Sequence, residues 1–597
     1  MSHSLDLDRS LPTRRQAALF QGKAALLRMR RALTDLRDPV RRQRCGSDLA
    51  EAPIAAEVSA GIWNHQSAVE FPLTAGKVQN LRVACNALNG LEFPAGATFS
   101  FWRQLGRATH RKGYTTGREL REGCLVANIG GGLCQLSNLL YNAALDAQLE
   151  ITERHPHSRL IPGSLAEKDR DATVFWNYVD LRFRAPFAFR LEAVLSATHL
   201  TIRIRSGDAE KVSAHVSLVD RPPGGIPVRS SASGDCLTCG MTSCFRHPSA
   251  TGTDPAPTGH TAFLLDEHWP EFQSWCRKHT QKEDRWLLPL DGHRWKKPNY
   301  AWSPPEIARV AYATRQTLHA AFRTRGLPAQ GAVRQRALLY RDRSLARFYA
   351  GKLEPTARHL VISQNLLPHL WQLGVLAGRT FDVVMTRWPL DELQRRLNIA
   401  AHTHTASTTL ADFRADRELV EAEAEALAGA ARLVTPHRAI ASHFGARALL
   451  LDWHLPKPEE RKARRSRHRF FFPASPLGRK GVYELAAALR RLDAELLVLG
   501  SATEDAADPL AAISTHRATP ADMLTARALI LPAWIEHQPR LALRALANEI
   551  PVVASAACGL PEHPFLWQID EPNADALYAC LSDLIASDAG KPARRAS

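Results

Sequence analysis

GGGLCQLSNLLYNAALDAQLEITERHPHS, residues Gly130–Ser158, is the stretch on which the reading of this chain turns. A glycine triplet, Gly130, Gly131 and Gly132, feeds a cysteine at what should be the first turn of a helix. Leu136, Leu139, Leu140, Ala143, Ala144 and Ala147 recur at helical spacing, so a helix starts beside Cys134 and buries that stripe. Cys134 lies off the stripe, with Asn138 and Tyr141. The backbone N–H groups of a helix start create a positive field that suits a reactive thiol. His155 and His157 follow within one more short element.

Three readings of this stretch stand side by side. In the first, Cys134 is a nucleophile, His157 its base and Asp171 the acid that orients the ring, with Gln135 or the Gly-rich backbone as oxyanion donors. In the second, Cys134 only packs, while His157 and Asp171 fix loops by hydrogen bonds. In the third, Gly130, Gly131 and Gly132 cradle an anionic group at the helix N-terminus.

Three ordered pieces, Gly130–Ala143, ERHPHS (Glu153–Ser158) and DATV (Asp171–Val174), resemble the signature of the VanW family. FPAGATFSFWRQLG (Phe93–Gly106) upstream and VDLRFRAP (Val179–Pro186) downstream are similar to its opening and closing strands. The resemblance runs from roughly residue 75 to 190. It implies a domain, here of α+β type, more firmly than it implies a reaction.

At 597 residues the chain exceeds one hydrophobic core. No apolar run approaches the ~20 residues that cross a bilayer. Arg14, Arg15, Lys23, Arg28, Arg30 and Arg31 interrupt every candidate signal-peptide core, so a cytoplasmic, reducing location is expected, at most peripheral at the inner face of the membrane. The net charge of +17 points to an anionic partner. Much of it is local: through Arg44, eleven Lys and Arg face four Asp and no Glu. With Leu19, Leu26, Leu27, Met29 and Leu33 interleaved, this arm reads either as a membrane-surface helix or as a helix docked on its own domain. Nothing resembles a nucleic-acid-binding motif, and no nucleic acid partner is expected.

The fold expected is a multidomain α/β chain in five parts: a basic helical arm (1–50), a VanW-like α+β domain (51–210), a cysteine-bearing linker (211–260) and two Rossmann-like domains (261–455 and 456–597). Alternating apolar residues from Phe189 to Gly207 predict paired strands closing the second part. From Thr261 short apolar strands alternate with helical runs, among them Ala262–Asp266, His359–Ser363, Phe381–Thr386, Ala431–Pro436, His468–Pro473, Ala494–Gly500, Ala526–Pro532 and Ile550–Ser555. That texture predicts parallel sheets covered by helices on both faces.

Phe470–Ser501 and Ala526–Leu560 resemble the two donor-domain motifs of group 1 glycosyltransferases of the GT-B fold. The resemblance implies a nucleotide-sugar donor held by Lys480, Gly481 and Glu536, with a glycan or envelope precursor as acceptor. The family's Gly-Arg pair falls on Ala474 and Ser475, and Arg479 beside the lysine is expected to point elsewhere. The family's second acid falls on Arg544, a cation unable to accept ribose hydroxyls. Either the donor site is altered or the fold survives without the activity.

GDCLTCGMTSCFRH places Cys236, Cys239, Cys244 and His247 within a dozen residues, a ligand set for a structural Zn, alternatively an Fe–S cluster, or no metal at all. Trp269, Trp275, Trp286, Trp295 and Trp302 are read as packing an irregular segment rather than lining a sugar site. Two functional classes remain: a glycan enzyme of the cell envelope, with or without a cysteine acyl-transfer site, and a non-catalytic glycan or nucleotide-sugar binder.

Overall fold

The computed structural model describes residues 14–37, 40–63, 71–121, 124–157, 169–207, 216–218, 259–328, 331–407, 409–412, 414–459, 465–501, 504 and 508–586. The chain divides into two compact units. One holds residues 1–260 with 354–358 and 374–379, the other residues 261–353, 359–373 and 380–597.

The first unit is α+β. Its larger sheet runs in the order Val216–Leu218, Ile54–Gly61, His199–Arg205, Phe189–Leu195, Leu91–Phe93. The alternation after Phe189 becomes an antiparallel hairpin whose Leu191, Ala193, Ile202 and Ile204 point into the core. The helices Phe71–Leu88 and Leu133–Asp146 cover this sheet, and Leu136, Leu139, Leu140, Ala143 and Ala144 are buried as the stripe requires. A second sheet joins Thr98–Ser100, Arg182–Arg184 and Glu150–Glu153. Phe93 stacks on Phe189 at 4.7 Å and Phe99 on Phe183 at 4.4 Å, one aromatic cluster tying both sheets together. Buried Asp180 accepts from the Ser100 hydroxyl (2.6 Å), the Trp102 amide (3.1 Å) and Arg182 (2.9 Å), so the opening and closing motifs of the domain meet on one carboxylate. A hairpin, Thr116–Arg121 with Cys124–Ile129, leads into the glycine triplet.

The arm forms the helix Arg14–Arg37, docked on this unit through buried Ala24 and through Arg28, Arg31 and Asp35.

The second unit holds two parallel α/β sheets. The seven-stranded one runs Arg309–Tyr312, Arg285–Leu288, His260–Leu264, Ala357–Ser363, Thr380–Val384, Arg432–Thr435, Ala448–Leu450. The six-stranded one runs Ser514–Arg517, Glu495–Val498, Arg469–Phe472, Ala528–Leu531, Val552–Ser555, Leu566–Ile569. All eight expected strands are present, and their central residues are fully buried, as helix-covered parallel strands must be. Five further strands, including all four edges, were not anticipated. The apolar cluster around Phe263, Trp286 and Val384 continues into Phe471, Leu529 and Val552, so the two sheets share a core. Trp269, Trp275, Trp286 and Trp302 are buried in it, which bears out their packing role, whereas Trp295 is exposed.

Cys236, Cys239, Cys244 and His247 lie outside the described residues. Among the described residues no group of three or more His, Cys, Asp or Glu is arranged to hold a metal ion, so the structure gives zinc no support. No described helix is long and apolar enough to cross a membrane.

Candidate functional site

The first site grows from the start of helix Leu133–Asp146. Gly130 and Gly132 both adopt left-handed backbone, φ 80° and 98°. A Cβ on Gly131 would lie 2.3 Å from the Gly117 carbonyl oxygen, and one on Gly132 would lie 2.1 Å from Lys77 Cγ, so the triplet is the tightest route from hairpin to helix. The Gly130 and Gly131 amides donate to Thr115 (3.1 Å) and Asn128 (3.0 Å), so both serve the hairpin. Gln135 is also engaged: its amide donates to the Gly61 carbonyl (2.8 Å) and its oxygen accepts from Lys77 (3.1 Å). One of its two amide hydrogens is thereby committed to the frame of the domain. Burial, helped by nearby Arg118, brings the Lys77 ammonium down to about 7.

The polar side of the same helix straps a second segment across it. Asn138 accepts from the Ala172 amide (2.8 Å), Ser137 donates to the Ala172 carbonyl (2.6 Å), and Asn142 donates to the Arg170 carbonyl (2.7 Å). These bonds bring Asp171 and Thr173 against the half-buried Cys134, whose sulfur lies 3.6 Å from the Thr173 hydroxyl. His157 Nδ1 lies 2.6 Å from Asp171 Oδ2, which also accepts from the His157 amide at 2.7 Å. Arg154 holds the other carboxylate oxygen at 2.8 Å and spans the Tyr141 ring. With Nδ1 on the carboxylate, the remaining ring nitrogen is left for the sulfur. Burial works against charge on His157, but hydrogen bonding to Cys134 and to Asp171 raises it to about 8. Burial likewise opposes the Asp171 charge, yet its bonds to His157 and Arg154 hold it below the usual carboxylate range. Cysteine, imidazole and carboxylate are thus coupled in series.

The second site lies in the second unit. In each parallel sheet the chain runs outward one way, then crosses back and runs outward the other, and ligands bind outside the strand ends where that reversal occurs. In the six-stranded sheet the reversal falls between Arg469–Phe472 and Ala528–Leu531. The loops leaving these two strands carry Lys480 and Glu536, and their side chains meet at 2.7 Å. Gly481, at φ 76°, passes so close that a Cβ would lie 1.8 Å from the Pro532 carbonyl oxygen. Glu536 also accepts from the amides of His537 (2.9 Å) and Gln538 (3.0 Å). Burial alone would raise this carboxyl, but Lys480 and these bonds bring it down to about 2. His537 and His437 beside it are pushed down by burial to about 3 and 4, so both are neutral near pH 7. His437 reaches the Glu536 carbonyl at 3.0 Å and links the two sheets here. Burial pulls the Arg479 guanidinium down, with the charges of Glu536, Asp412 and Glu504 acting against that shift. Arg544 is ion-paired with Glu459 at 2.6 Å, on the polar side of a helix whose Ala542, Leu543, Ala545 and Leu546 are buried. At the reversal in the other sheet, Asn365 donates to Asp266 (2.9 Å) and accepts from Arg387 (3.0 Å).

With this geometry in view, residues 76–205 match the family described as VanW like protein. Residues 76–205 are a VanW-like domain. Vancomycin B-type resistance protein VanW of Enterococcus faecalis (strain ATCC 700802 / V583) is 36% identical over 131 residues, 21% of this chain and 48% of that protein. Uncharacterized protein YoaR of Bacillus subtilis (strain 168) is 31% identical over 156 residues, 26% of this chain and 50% of that one. The chain thus spans about half the length of the curated relatives it matches. Among solved structures, sucrose-phosphate synthase from Thermosynechococcus elongatus is similar over 56% of this chain and 91% of its own, at 13% identity and TM-score 0.36. The lipopolysaccharide outer core galactosyltransferase WaaB is similar over 55% and 90%, at 14% and 0.32.

The VanW-like domain brings together Cys134, His157 and Asp171, and the second unit brings together Lys480, Gly481 and Glu536. Arg544 stands apart, turned to Glu459. Missed in the sequence were Ser137, Asn138 and Asn142, which fasten the Asp171 segment, together with Arg154 and Thr173. For the three helix residues the only signal was polar side chains off the apolar stripe.

Proposed function

We propose that the chain is a cell-envelope protein of glycosyltransferase type that takes a nucleotide-sugar donor in its second unit, beside a VanW-like domain. The observation that carries this reading is the meeting of Lys480 and Glu536 at the strand reversal of the six-stranded sheet. An incoming diphosphate competes with Glu536 for the Lys480 ammonium, and the freed carboxylate accepts donor-sugar hydroxyls. Arg544 cannot do so, and its pairing with Glu459 supports an altered ribose contact. UDP- and GDP-sugars should bind the full chain, with hydrolysis or transfer to an envelope glycan. Binding without turnover would move the protein to the non-catalytic class, and no nucleotide binding would end the reading.

The Cys134–His157–Asp171 series favours a second reading for the VanW-like domain, cysteine-dependent acyl transfer or hydrolysis. The sulfur attacks an acyl carbonyl as its proton passes to His157. The leaving amine then takes that proton as the C–N bond breaks, and water or an acceptor nucleophile releases the acyl group.

For the linker we propose a structural Zn on donor chemistry alone, three thiolates and one imidazole. Metal analysis of the purified chain should give about one Zn per molecule and lose it in Cys239→Ser. Absence of metal would remove the proposal, and an iron chromophore would replace it.

A further inference from the structure

The N-terminal helix Arg14–Arg37 turns the wrong side to its domain. Ala24, Arg28, Arg31 and Asp35, spaced at helical intervals, form the docked edge: Ala24 is buried, Arg28 donates to the Trp176 carbonyl (3.1 Å), Arg31 pairs with Glu153, and Asp35 pairs with Arg182 (2.6 Å). The opposite side carries the apolar residues. Leu19, Leu26, Met29, Leu33 and Leu36 recur at intervals of seven, three, four and three, and are 66%, 61%, 58%, 56% and 77% exposed. A helix that served only to complete its own domain would bury these five residues rather than its arginines.

We infer that this helix is a surface anchor that seats the VanW-like domain on an anionic lipid layer, apolar stripe downward. Charge selects the occupant. Exposed Arg15, Lys23 and Arg30 lie within or beside the stripe, and Asp35, the one acid of the helix, is already spent on Arg182. Two copies packed stripe to stripe would bring these cations together with no acid to pair them, whereas lipid phosphates neutralise them. With a rise of about 1.5 Å per residue the helix lies along a surface for roughly 36 Å. Its ion pairs to Glu153 and Arg182 keep that surface beside the strand that leads into Arg154 and His157. The anchor stands independently of either catalytic reading.

The test is flotation of the full chain with phosphatidylcholine vesicles and with vesicles one-third phosphatidylglycerol. Binding should be confined to the anionic vesicles and weaken as salt rises. The triple variant Leu26→Glu, Met29→Glu, Leu33→Glu should lose about tenfold or more in binding with an unchanged melting curve, since all three residues are exposed. Failure to float with either vesicle, or flotation unchanged in the triple variant, would overturn the inference. So would sedimentation showing a dimer that the triple variant dissolves, which would give the stripe to a second copy.

Discussion

His157→Ala should slow alkylation of Cys134 by iodoacetamide near pH 7 by about tenfold or more, because the imidazole that takes the thiol proton is removed. In the intact chain Cys134 should label ahead of Cys85 and Cys558, whose thiols burial pushes up to about 12. Peptide mapping by mass spectrometry reads each cysteine separately. Fast labelling that survives His157→Ala would leave only the helix start to explain it, and slow labelling in the intact chain would reduce Cys134 to packing. The same ring sets a stability signature. A histidine raised from about 6.5 to about 8 contributes stability that is complete below pH 6.5 and lost as pH climbs through 8. The shift corresponds to about 2 kcal/mol, so melting curves of the intact chain should fall across that window and those of His157→Ala should stay flat.

Lys480→Met should cost about 3 kcal/mol, since it leaves the Glu536 carboxylate buried without its counter-charge. The double variant Lys480→Met, Glu536→Gln should recover much of that loss, because a neutral amide keeps the shape and drops the charge. Denaturant unfolding of the two variants checks the pair. Nucleotide affinity should vanish in both, which separates the donor site from mere stability. Glu536 adds an acid limit: its depressed carboxyl contributes stability that is full above about pH 4.5 and lost as pH falls toward 2. If the double variant is no more stable than the single one, the ion pair is not what holds these two loops.

What the sequence made legible follows burial. The eight expected strands are those whose residues sit between neighbours and helices, so they appear as unbroken apolar runs. Arg309–Tyr312 and Ser514–Arg517 sit at sheet edges, are largely exposed, and carry arginine, serine, threonine and histidine that break any apolar run, while Ala448–Leu450, a third edge, is apolar but only three residues long. Arg285–Leu288 is buried but hidden among tryptophans that read as irregular packing. At the cysteine site the chemistry-bearing side chains stood out because Cys, His and Asp are few and ordered. The straps Ser137, Asn138 and Asn142 did not, because polar residues on a helix side ordinarily face water, and only the fold shows segment 169–173 lying over them. The arm shows the reverse failure: two outcomes looked exclusive in sequence, and the helix docks by the edge that neither considered.

The five-stranded sheet has a consequence for how the chain is made. Ile54–Gly61 pairs with His199–Arg205, with Ser59 opposite Thr201, 142 positions further along the chain. An N-terminal strand leaving the ribosome has no partner until that far stretch has also emerged. At roughly 5–20 residues per second the wait is about 7–30 s, during which its apolar face is open to chaperones and to other nascent chains. The two parallel sheets of the second unit are assembled largely from strands that are near neighbours in sequence, so they are spared most of that delay. Heterologous synthesis supplied with a nascent-chain chaperone should therefore raise the yield of the first unit far more than that of the second.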